Sequence, residues 1–385
     1  MNIIDYFPEQ AVKNLSSKGK DIIQEIGLDI TRGVVLDVLT GKNLRDSTEL
    51  LTRKRIIAIN VATLVMLVKG ASKNSYFIQE LPNAAFQELK KGHLPKEERW
   101  LTQWILGLTD KGFQNILRDE TSGLEKYKDD YLEITRKAIE EFQKDYGNIG
   151  GEITLNPREK ALINWEFLVQ LMNIVGSGTL AIRGSSKSTF GKLFEKLVLG
   201  ALLSILGFKL VQQNENNGTD KVFWLTSKDE KRESDATLLY EAGKGIRFDI
   251  GFIGRGNPEI SLDKVSRFER EIELGKKKWY LGTIIIVDRI GRNSRIETLA
   301  KNIDADIVQM SGSYWPTRVA QILHERLGYD NQILHTSLDD MDAYLKERMR
   351  RVPFDTILSL PAFAEEVDES PQKENQSNPP VQGHN

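Results

Sequence analysis

The sequence predicts an α/β (α+β) fold, in which a mixed central sheet is flanked by helices and preceded by a helical N-terminal region. Two observations predict it. Apolar residues recur at helical spacing through much of residues 1–150, whereas short apolar runs separated by turns and helices follow between about residues 208 and 310. Antiparallel strands followed by alternating helices and strands are typical of a sheet with helices on its faces.

The N-terminal part of the chain is predicted to be helical. Residues 56–71 form an apolar run, and apolar side chains repeat at helical spacing from Tyr127 to Phe142. The glycine-rich segment at 147–152 is typical of a boundary. We therefore expect a helical N-terminal region over residues 1–150, a sheet-containing core over 151–350 and a disordered tail over 365–385, where apolar residues are almost lacking.

Two helices are predicted at the start of the core. One covers residues 158–175 and is followed by a Gly-Ser-Gly turn, and the other covers residues 188–207. Ser188 or Thr189 is the expected cap of the second helix, which Gly207 ends.

The strands of the core are predicted from apolar runs bounded by turns. Residues 236–241 and 245–254 have the pattern of an antiparallel hairpin joined by Ala-Gly-Lys-Gly. Residues 283–290 are apolar enough for a fully buried strand. Further strands are predicted at 208–213, 221–227 and 305–310, and further helices at 262–278, 295–303 and 317–350.

Composition excludes several kinds of catalytic site. The 385-residue chain has no cysteine, which rules out disulfides, cysteine-ligated zinc and a thiol nucleophile. Its four histidines show no metal-ligand spacing, which argues against a histidine-based zinc hydrolase. The 53 basic and 55 acidic residues nearly cancel, which is compatible with positive charge confined to one cleft. No signal peptide or membrane span is predicted, so a cytoplasmic protein is expected.

Residues 183–189, Arg-Gly-Ser-Ser-Lys-Ser-Thr, match a phosphate-binding loop only in part. That loop has a glycine directly before the lysine, and Ser186 stands there. No strand ending in an acidic residue stands out as its magnesium partner. The segment is better explained as polar residues around a helix cap.

Acidic residues on the predicted hairpin indicate chemistry. Glu233 and Asp235 precede its first strand, and Asp249 lies within its second. A carboxylate inside an apolar strand is costly to bury unless it is paired or binds a metal ion. Antiparallel pairing brings Asp235 and Asp249 together, where two carboxylates repel without a cation. The pair therefore predicts a Mg²⁺ site built from oxygen ligands.

Three further residues extend the candidate catalytic site. Glu195 lies at the edge of the apolar stripe of a predicted helix, Glu259 follows the hairpin, and Lys264 lies in the first turn of the next predicted helix. Phosphodiester hydrolysis builds up negative charge, which a metal ion and a lysine stabilise. Each residue alone is more simply explained as a turn, cap or surface charge, so the prediction depends on the group and its order.

The order of these elements resembles the core of the PD-(D/E)xK nucleases. A helix with a glutamate precedes a hairpin with two acidic residues, and a helix and a buried strand follow. The segments at 33–66, 232–271, 283–291 and 307–316 are also similar to type II restriction endonucleases of the CfrBI family. The resemblance thus extends over most of residues 20–330.

The resemblance carries expectations about the activity. It implies a PD-(D/E)xK-type mixed sheet, in which the core is a nuclease core and the N-terminal region grips DNA or dimerises. It also implies double-stranded DNA as substrate, Mg²⁺ as cofactor, 5′-phosphate ends and a homodimer acting on a palindrome. A companion DNA methyltransferase and a C-C-W-W-G-G type target are suggested as well.

Carried over residue by residue, the motif places its two acidic positions on Asp235 and Asp249, which are then the expected metal ligands. Its lysine position falls on Gly251, so the lysine comes from elsewhere, and Lys264 is the nearest candidate. An alternative register uses Asp249 and Glu259 as the two acidic positions. The first register is preferred because the strands around both aspartates are longer.

Basic residues around the candidate site predict contacts with DNA phosphates. The Arg-Lys-Arg run at 53–55 lies further out, where a solvated helix face is the commoner role. The candidate DNA-binding residues are Arg232, Arg255, Arg267, Arg270, Arg292 and Arg295, with Arg289 and Lys187 beside them.

Two other functions stay open. A repair or structure-specific DNA nuclease would use the same core on another substrate. A non-catalytic protein would instead use the N-terminal helices to bind a partner.

Overall fold

The computed structural model describes residues 2–16, 19–119, 123–212, 220–226, 234–252, 282–289, 305–360 and 363. It confirms a mixed α/β architecture, with a helical N-terminal region, a six-stranded sheet and a separate two-stranded sheet. The predicted helices at 262–278 and 295–303 and the predicted tail at 365–385 lie outside the described residues.

The N-terminal region is built from helices, as predicted. The apolar run at 56–71 lies within one long helix, which begins at its N-cap Asn43, and the repeat from Tyr127 to Phe142 lies within another. A short 3-10 helix, Ile3–Tyr6, comes first. The α-helices are α1 (Glu9–Ser16), α2 (Gly19–Ile26), α3 (Leu28–Leu39), α4 (Leu44–Lys73), α5 (Phe77–Lys91), α6 (Lys96–Ile105), α7 (Asp110–Asp119) and α8 (Gly123–Tyr146).

One long helix, α9 (Trp165–Ile205), replaces the two predicted helices. The predicted Gly-Ser-Gly turn is wrong because Gly178 lies against α6, where an added Cβ would come within 3.1 Å of the Trp104 ring. This glycine allows close helix packing instead of turning the chain. The predicted cap at Ser188 or Thr189 is also wrong, since both lie inside α9.

The start of the predicted helix at 158–175 is a strand. Residues Gly151–Asn156 (β1) and Glu159–Ile163 (β2) form an antiparallel hairpin that the sequence prediction missed. Asn164 then caps α9, and its side-chain oxygen accepts a hydrogen bond from the backbone N–H of Phe167 at 2.8 Å. The helix therefore begins several residues later than predicted.

The main sheet has the strand order β3-β4-β5-β6-β7-β8. Its members are β3 (Lys209–Leu210), β4 (Val222–Leu225), β5 (Ala236–Glu241), β6 (Lys244–Gly251), β7 (Gly282–Val287) and β8 (Ala305–Gln309). Strands β4, β5 and β6 pair antiparallel, whereas β6, β7 and β8 pair parallel. The predicted hairpin is confirmed as β5 and β6. The start of β5 and the ends of β6, β7 and β8 therefore meet at one edge of the sheet.

The C-terminal helices follow the last strand, as predicted for residues 317–350. They are α10 (Pro316–Leu327), a 3-10 helix (Gln332–His335), α11 (Leu338–Arg350) and the additional α12 (Phe354–Ser359). The loop after β8 packs on the loop between α3 and α4. Trp315 Nε1 donates to Val38 O at 2.8 Å, and a Cβ on Gly41, whose φ is +100°, would lie 2.7 Å from Gly312 O. The N-terminal helices are thus joined directly to the edge of the sheet.

Two hydrophobic cores share α9. The main core combines the sheet with residues of α2 and α3, including Val35 and Leu39, and the second half of α9. The other core lies among α1, α4 to α8 and the first half of α9, including Phe167. Each core therefore contains part of both predicted regions. The division of the chain near residue 150 stays a prediction.

Helices α4 and α9 are long and apolar enough to cross a membrane by length and composition. Core helices of soluble proteins pass the same test. Here Met66 in α4 and Leu197 in α9 are fully buried within the two cores. Each helix thus supplies side chains to a core, and its length and apolar composition are weak evidence for a membrane span.

Glu88 is a buried carboxylate in the N-terminal region. It is 8% exposed, and its Oε1 accepts a hydrogen bond from the backbone N–H of Ile3 at 3.2 Å. Burial raises the pKa of the Glu88 carboxyl above 4.5, nearby Glu98 adds to the increase, and the Ile3 N–H opposes it. The charged form therefore lowers the stability of the folded state.

We expect Glu88→Gln to raise the melting temperature at neutral pH by about 2 °C. Glutamine keeps an acceptor for the Ile3 N–H and removes the buried charge. Because the pKa is higher in the folded than in the unfolded state, the contribution of Glu88 to stability falls as the pH rises above about 4.5. Thermal melts should therefore show a larger gain at about pH 7 than at about pH 4. Equal gains at both pH values would contradict this assignment.

Candidate active site

The structure brings Asp235 and Asp249 together at the open end of the β5–β6 hairpin. The backbone N–H of Asp235 donates to Phe248 O at 2.9 Å, and that of Ile250 donates to Asp235 Oδ2 at 2.8 Å. Asp235 is therefore bonded to both chain neighbours of Asp249. Ala236 pairs with Phe248, so each aspartate directly adjoins one member of this residue pair.

Asp249 lies on the face of β6 that points away from the main core. Ile246, Phe248 and Ile250 are fully buried in that core, and strand alternation puts Asp249 on the other face. Its side chain is nevertheless only 8% exposed. An ionised carboxylate that has lost most of its water is stabilised by nearby cations and hydrogen-bond donors. The position therefore suits a bound cation.

Glu195 approaches the same end of β6 from α9. Its Oε1 accepts a hydrogen bond from the backbone N–H of Phe252, which directly follows β6, at 3.2 Å. Its helix neighbours Phe194 and Val198 are fully buried, whereas Glu195 is half-buried. This agrees with its predicted place at the margin of the apolar stripe.

Sequence reasoning missed Asp288 and its contact with Asn43. Asp288 directly follows β7, whose last residue Val287 pairs with Gly251, so Asp288 lies beside Phe252. Asn43 Nδ2 donates to Asp288 Oδ2 at 3.4 Å. The available signal was an acidic residue after the apolar run 283–287.

We call Glu195, Asp235, Asp249 and Asp288 the acidic edge. These four residues come from α9, from the start of β5, from β6 and from the end of β7. The three aspartates lie at the same end of the sheet because the parallel strands β6 and β7 end where the antiparallel β5 begins. Glu195 reaches this end from α9.

Several predicted site residues lie outside the described residues. They include Lys264, Glu259 and Glu233, so the source of the active-site lysine stays a prediction. Gly251 is the last residue of β6, which leaves the lysine position of the motif without a side chain. Arg289 is described and exposed directly after Asp288. The predicted DNA-binding residues Arg232, Arg255, Arg267, Arg270, Arg292 and Arg295 also lie outside the described residues.

A cleft of about 260 Å³ opens beside the acidic edge. One wall is the first turns of α4, including Asn43 and Arg45, and another is α9 near Phe190. Phe252 and Asp288 close the cleft on the side of the sheet. The N-terminal helices therefore contribute directly to the surroundings of the candidate site.

The oxygen donors of the acidic edge fit Mg²⁺ as part of a shared site. Within the described ranges, no three metal-ligating side chains are close enough to form a complete cage. Mg²⁺ commonly takes only one or two carboxylates from a protein and completes its shell with water and substrate phosphate. Asp235 and Asp249 supply a carboxylate pair of that kind, which is compatible with the predicted Mg²⁺ site.

Comparisons with known proteins define first the class and then the family. The class is that of restriction endonucleases, hydrolases that cut within DNA. The chain belongs to the CfrBI restriction endonuclease family, whose model matches residues 28–295. It is 36% identical over 358 residues to the type II restriction enzyme CfrBI of Citrobacter freundii, covering 92% of this chain and 98% of that protein. No solved structure gives a significant match.

The region that matches the family model contains most of the elements around the candidate site. It begins at the start of α3 and includes α4, α9, the hairpin and β7. The acidic edge and the helices that form its cleft therefore all lie inside the matched region. The N-terminal helices from α3 onward are part of the family's own chain rather than an addition to it.

Proposed function

We propose that this protein is a type II restriction endonuclease that uses Mg²⁺ to cleave double-stranded DNA at a specific site, leaving 5′-phosphate ends. The observation that carries the proposal is the pair of hydrogen bonds that join Asp235 to Phe248 and Ile250, the two residues on either side of Asp249. These bonds hold Asp235 beside Asp249, and the two carboxylates would form part of a cation site that a DNA phosphate completes. The family membership supplies DNA as the substrate.

The described side chains have distinct roles in this proposal. Asp235 and Asp249 would hold Mg²⁺, which polarises the phosphate and lowers the pKa of bound water. The Ile250 N–H donates to Oδ2 of Asp235, which fixes the orientation of this carboxylate. Glu195, whose Oε1 accepts from the Phe252 N–H, would accept a proton from the attacking water in this proposal. A lysine, with Lys264 as candidate, would stabilise the charge that develops on the phosphate.

The partners follow from the expected substrate. A palindromic site is matched by a two-fold symmetric homodimer, so each copy would cut one strand. A C-C-W-W-G-G type sequence is the proposed target, and this rests on the family resemblance. A DNA methyltransferase acting on the same site, without stable binding to this protein, would protect host DNA. Such a system operates in the cytoplasm.

Plasmid cleavage tests the proposed function. Purified wild-type protein with Mg²⁺ is expected to give discrete DNA fragments, and EDTA is expected to stop the reaction because it removes the cation. Sequencing the fragment ends gives the target and the overhang. A smear, or cleavage confined to branched DNA, would favour a repair or structure-specific nuclease. Intact plasmid under all metal conditions would favour a non-catalytic binding protein.

A further inference from the structure

The cleft beside the acidic edge contains positive charges that differ in their partners. Arg183 pairs with Glu49 on the opposite wall, and Glu49 also accepts from Arg53 Nε at 3.0 Å. Arg45 lines the same cleft and is exposed. Its guanidinium forms no ion pair with any residue in the described ranges. Arg45 is therefore available to an anion from outside the protein.

The backbone of Arg45 is fixed relative to the acidic edge. Its N–H donates to Asn43 Oδ1 at 2.8 Å, and the amide nitrogen of Asn43 donates to Asp288 Oδ2. Asp288 lies beside Phe252, which holds the Glu195 carboxylate. A short chain of hydrogen bonds thus links the start of α4 to the ends of β6 and β7. These contacts hold the backbone of Arg45 beside the ends of β6 and β7.

Electrostatics explains why a cation is needed at this place. Four carboxylates at one edge repel a DNA backbone, which carries a negative charge at each phosphate. A cation on the rim offsets this repulsion for the phosphates next to the one being cut. An arginine suits the task because its planar guanidinium can donate two parallel hydrogen bonds to one phosphate.

We infer that Arg45 binds a phosphate of the DNA backbone next to the cleaved bond. This phosphate would lie in the cleft between α4, α9 and the end of β7. The inference rests on the proposed function for the identity of the anion. It gives the N-terminal helices a role in DNA binding, through Arg45 in the first turn of α4. Arg45 is a binding residue here, and the acidic edge carries the chemistry.

The test is DNA binding without cleavage. Wild-type protein and Arg45→Ala are titrated into a fluorescent random-sequence DNA duplex in EDTA, over a series of salt concentrations. Arg45→Ala is expected to bind about tenfold more weakly and to lower the slope of log affinity against log salt by about 1. Arg45→Lys keeps the charge and should retain the slope while losing part of the affinity.

Arg158→Ala is the matched control. Arg158 is also exposed, and its carbonyl accepts from Ser72 Oγ near the far end of α4. The rise of a helix places this end about 40 Å from Arg45. The control removes the same charge and should leave both affinity and slope unchanged. Equal affinities and slopes for Arg45→Ala and wild type would overturn the inference, as would an equal loss in Arg158→Ala.

The outcomes separate this inference from the proposed function. Wild-type cleavage of plasmid together with unchanged binding by Arg45→Ala rejects only the role of Arg45. Weaker binding by Arg45→Ala in a protein that never cleaves DNA supports the contact and rejects the nuclease proposal. In an active enzyme, Arg45→Ala should raise KM more than it lowers kcat, since the contact holds substrate and transition state alike.

Discussion

Asp249→Ala is expected to lower the rate of DNA cleavage by roughly a thousandfold or more, while DNA binding persists. The variant removes one of the two carboxylates proposed to hold Mg²⁺. Asp249 is nearly buried on the face of β6 away from the main core. Binding should be as tight or tighter, because a negative charge near the phosphates has been removed.

Single-turnover cleavage of plasmid and a DNA-binding titration in EDTA measure the two effects separately. Glu241→Ala is the matched control, because Glu241 lies on the same hairpin at the turn and pairs there with Lys244. Strand rise places that turn roughly 17 Å from Asp249. The control should cleave DNA like wild type. Full activity in Asp249→Ala would remove the preferred motif register.

Asp235→Asn and Asp235→Ala should separate catalysis from folding at the other member of the pair. Asparagine keeps an oxygen that accepts from the Ile250 N–H but lacks the charge that attracts a cation. We expect Asp235→Asn to melt close to wild type and to cleave about a hundredfold more slowly or worse. Alanine leaves the Ile250 N–H without this acceptor next to a fully buried side chain. That loss costs about 1–3 kcal/mol.

Thermal melts and cleavage rates of both variants give the comparison. Asp235→Ala should melt several degrees lower than Asp235→Asn, yet both should have lost cleavage. If Asp235→Asn cleaves normally, the residue has a structural role only, and the metal site must be sought elsewhere. The two variants thus distinguish a ligand from a strand-end hydrogen bond.

The carboxylate pair could be predicted because it depends on local geometry. Strands β5 and β6 are close in sequence, and the two-residue turn at Ala242 and Gly243 between them sets their register. The position of Glu195 followed from helical periodicity, which needs no long-range information. In each case a repeat of two or 3.6 residues determines the face on which a side chain lies.

The remaining features depend on contacts that no periodicity specifies. Asn43 and Asp288 are 245 residues apart in the sequence, and Trp315 and Val38 are 277 apart. Gly178 looked like a turn residue because local propensity could not show that Trp104 packs on it. Tertiary packing overrides weak local preferences in such places. The cleft, formed by α4, α9 and the sheet, was missed for the same reason.

Helix α9 has a consequence for any attempt to divide the enzyme into modules. Its 41 residues make a rod about 60 Å long, and its two halves supply side chains to different cores. A chain cut within residues 165–205 would leave each fragment with an exposed apolar stripe and an incomplete interior. A chimaera that takes its N-terminal helices from a relative would therefore have to take the whole of α9 from the same relative. Glu195, which lies in α9, would be transferred as well.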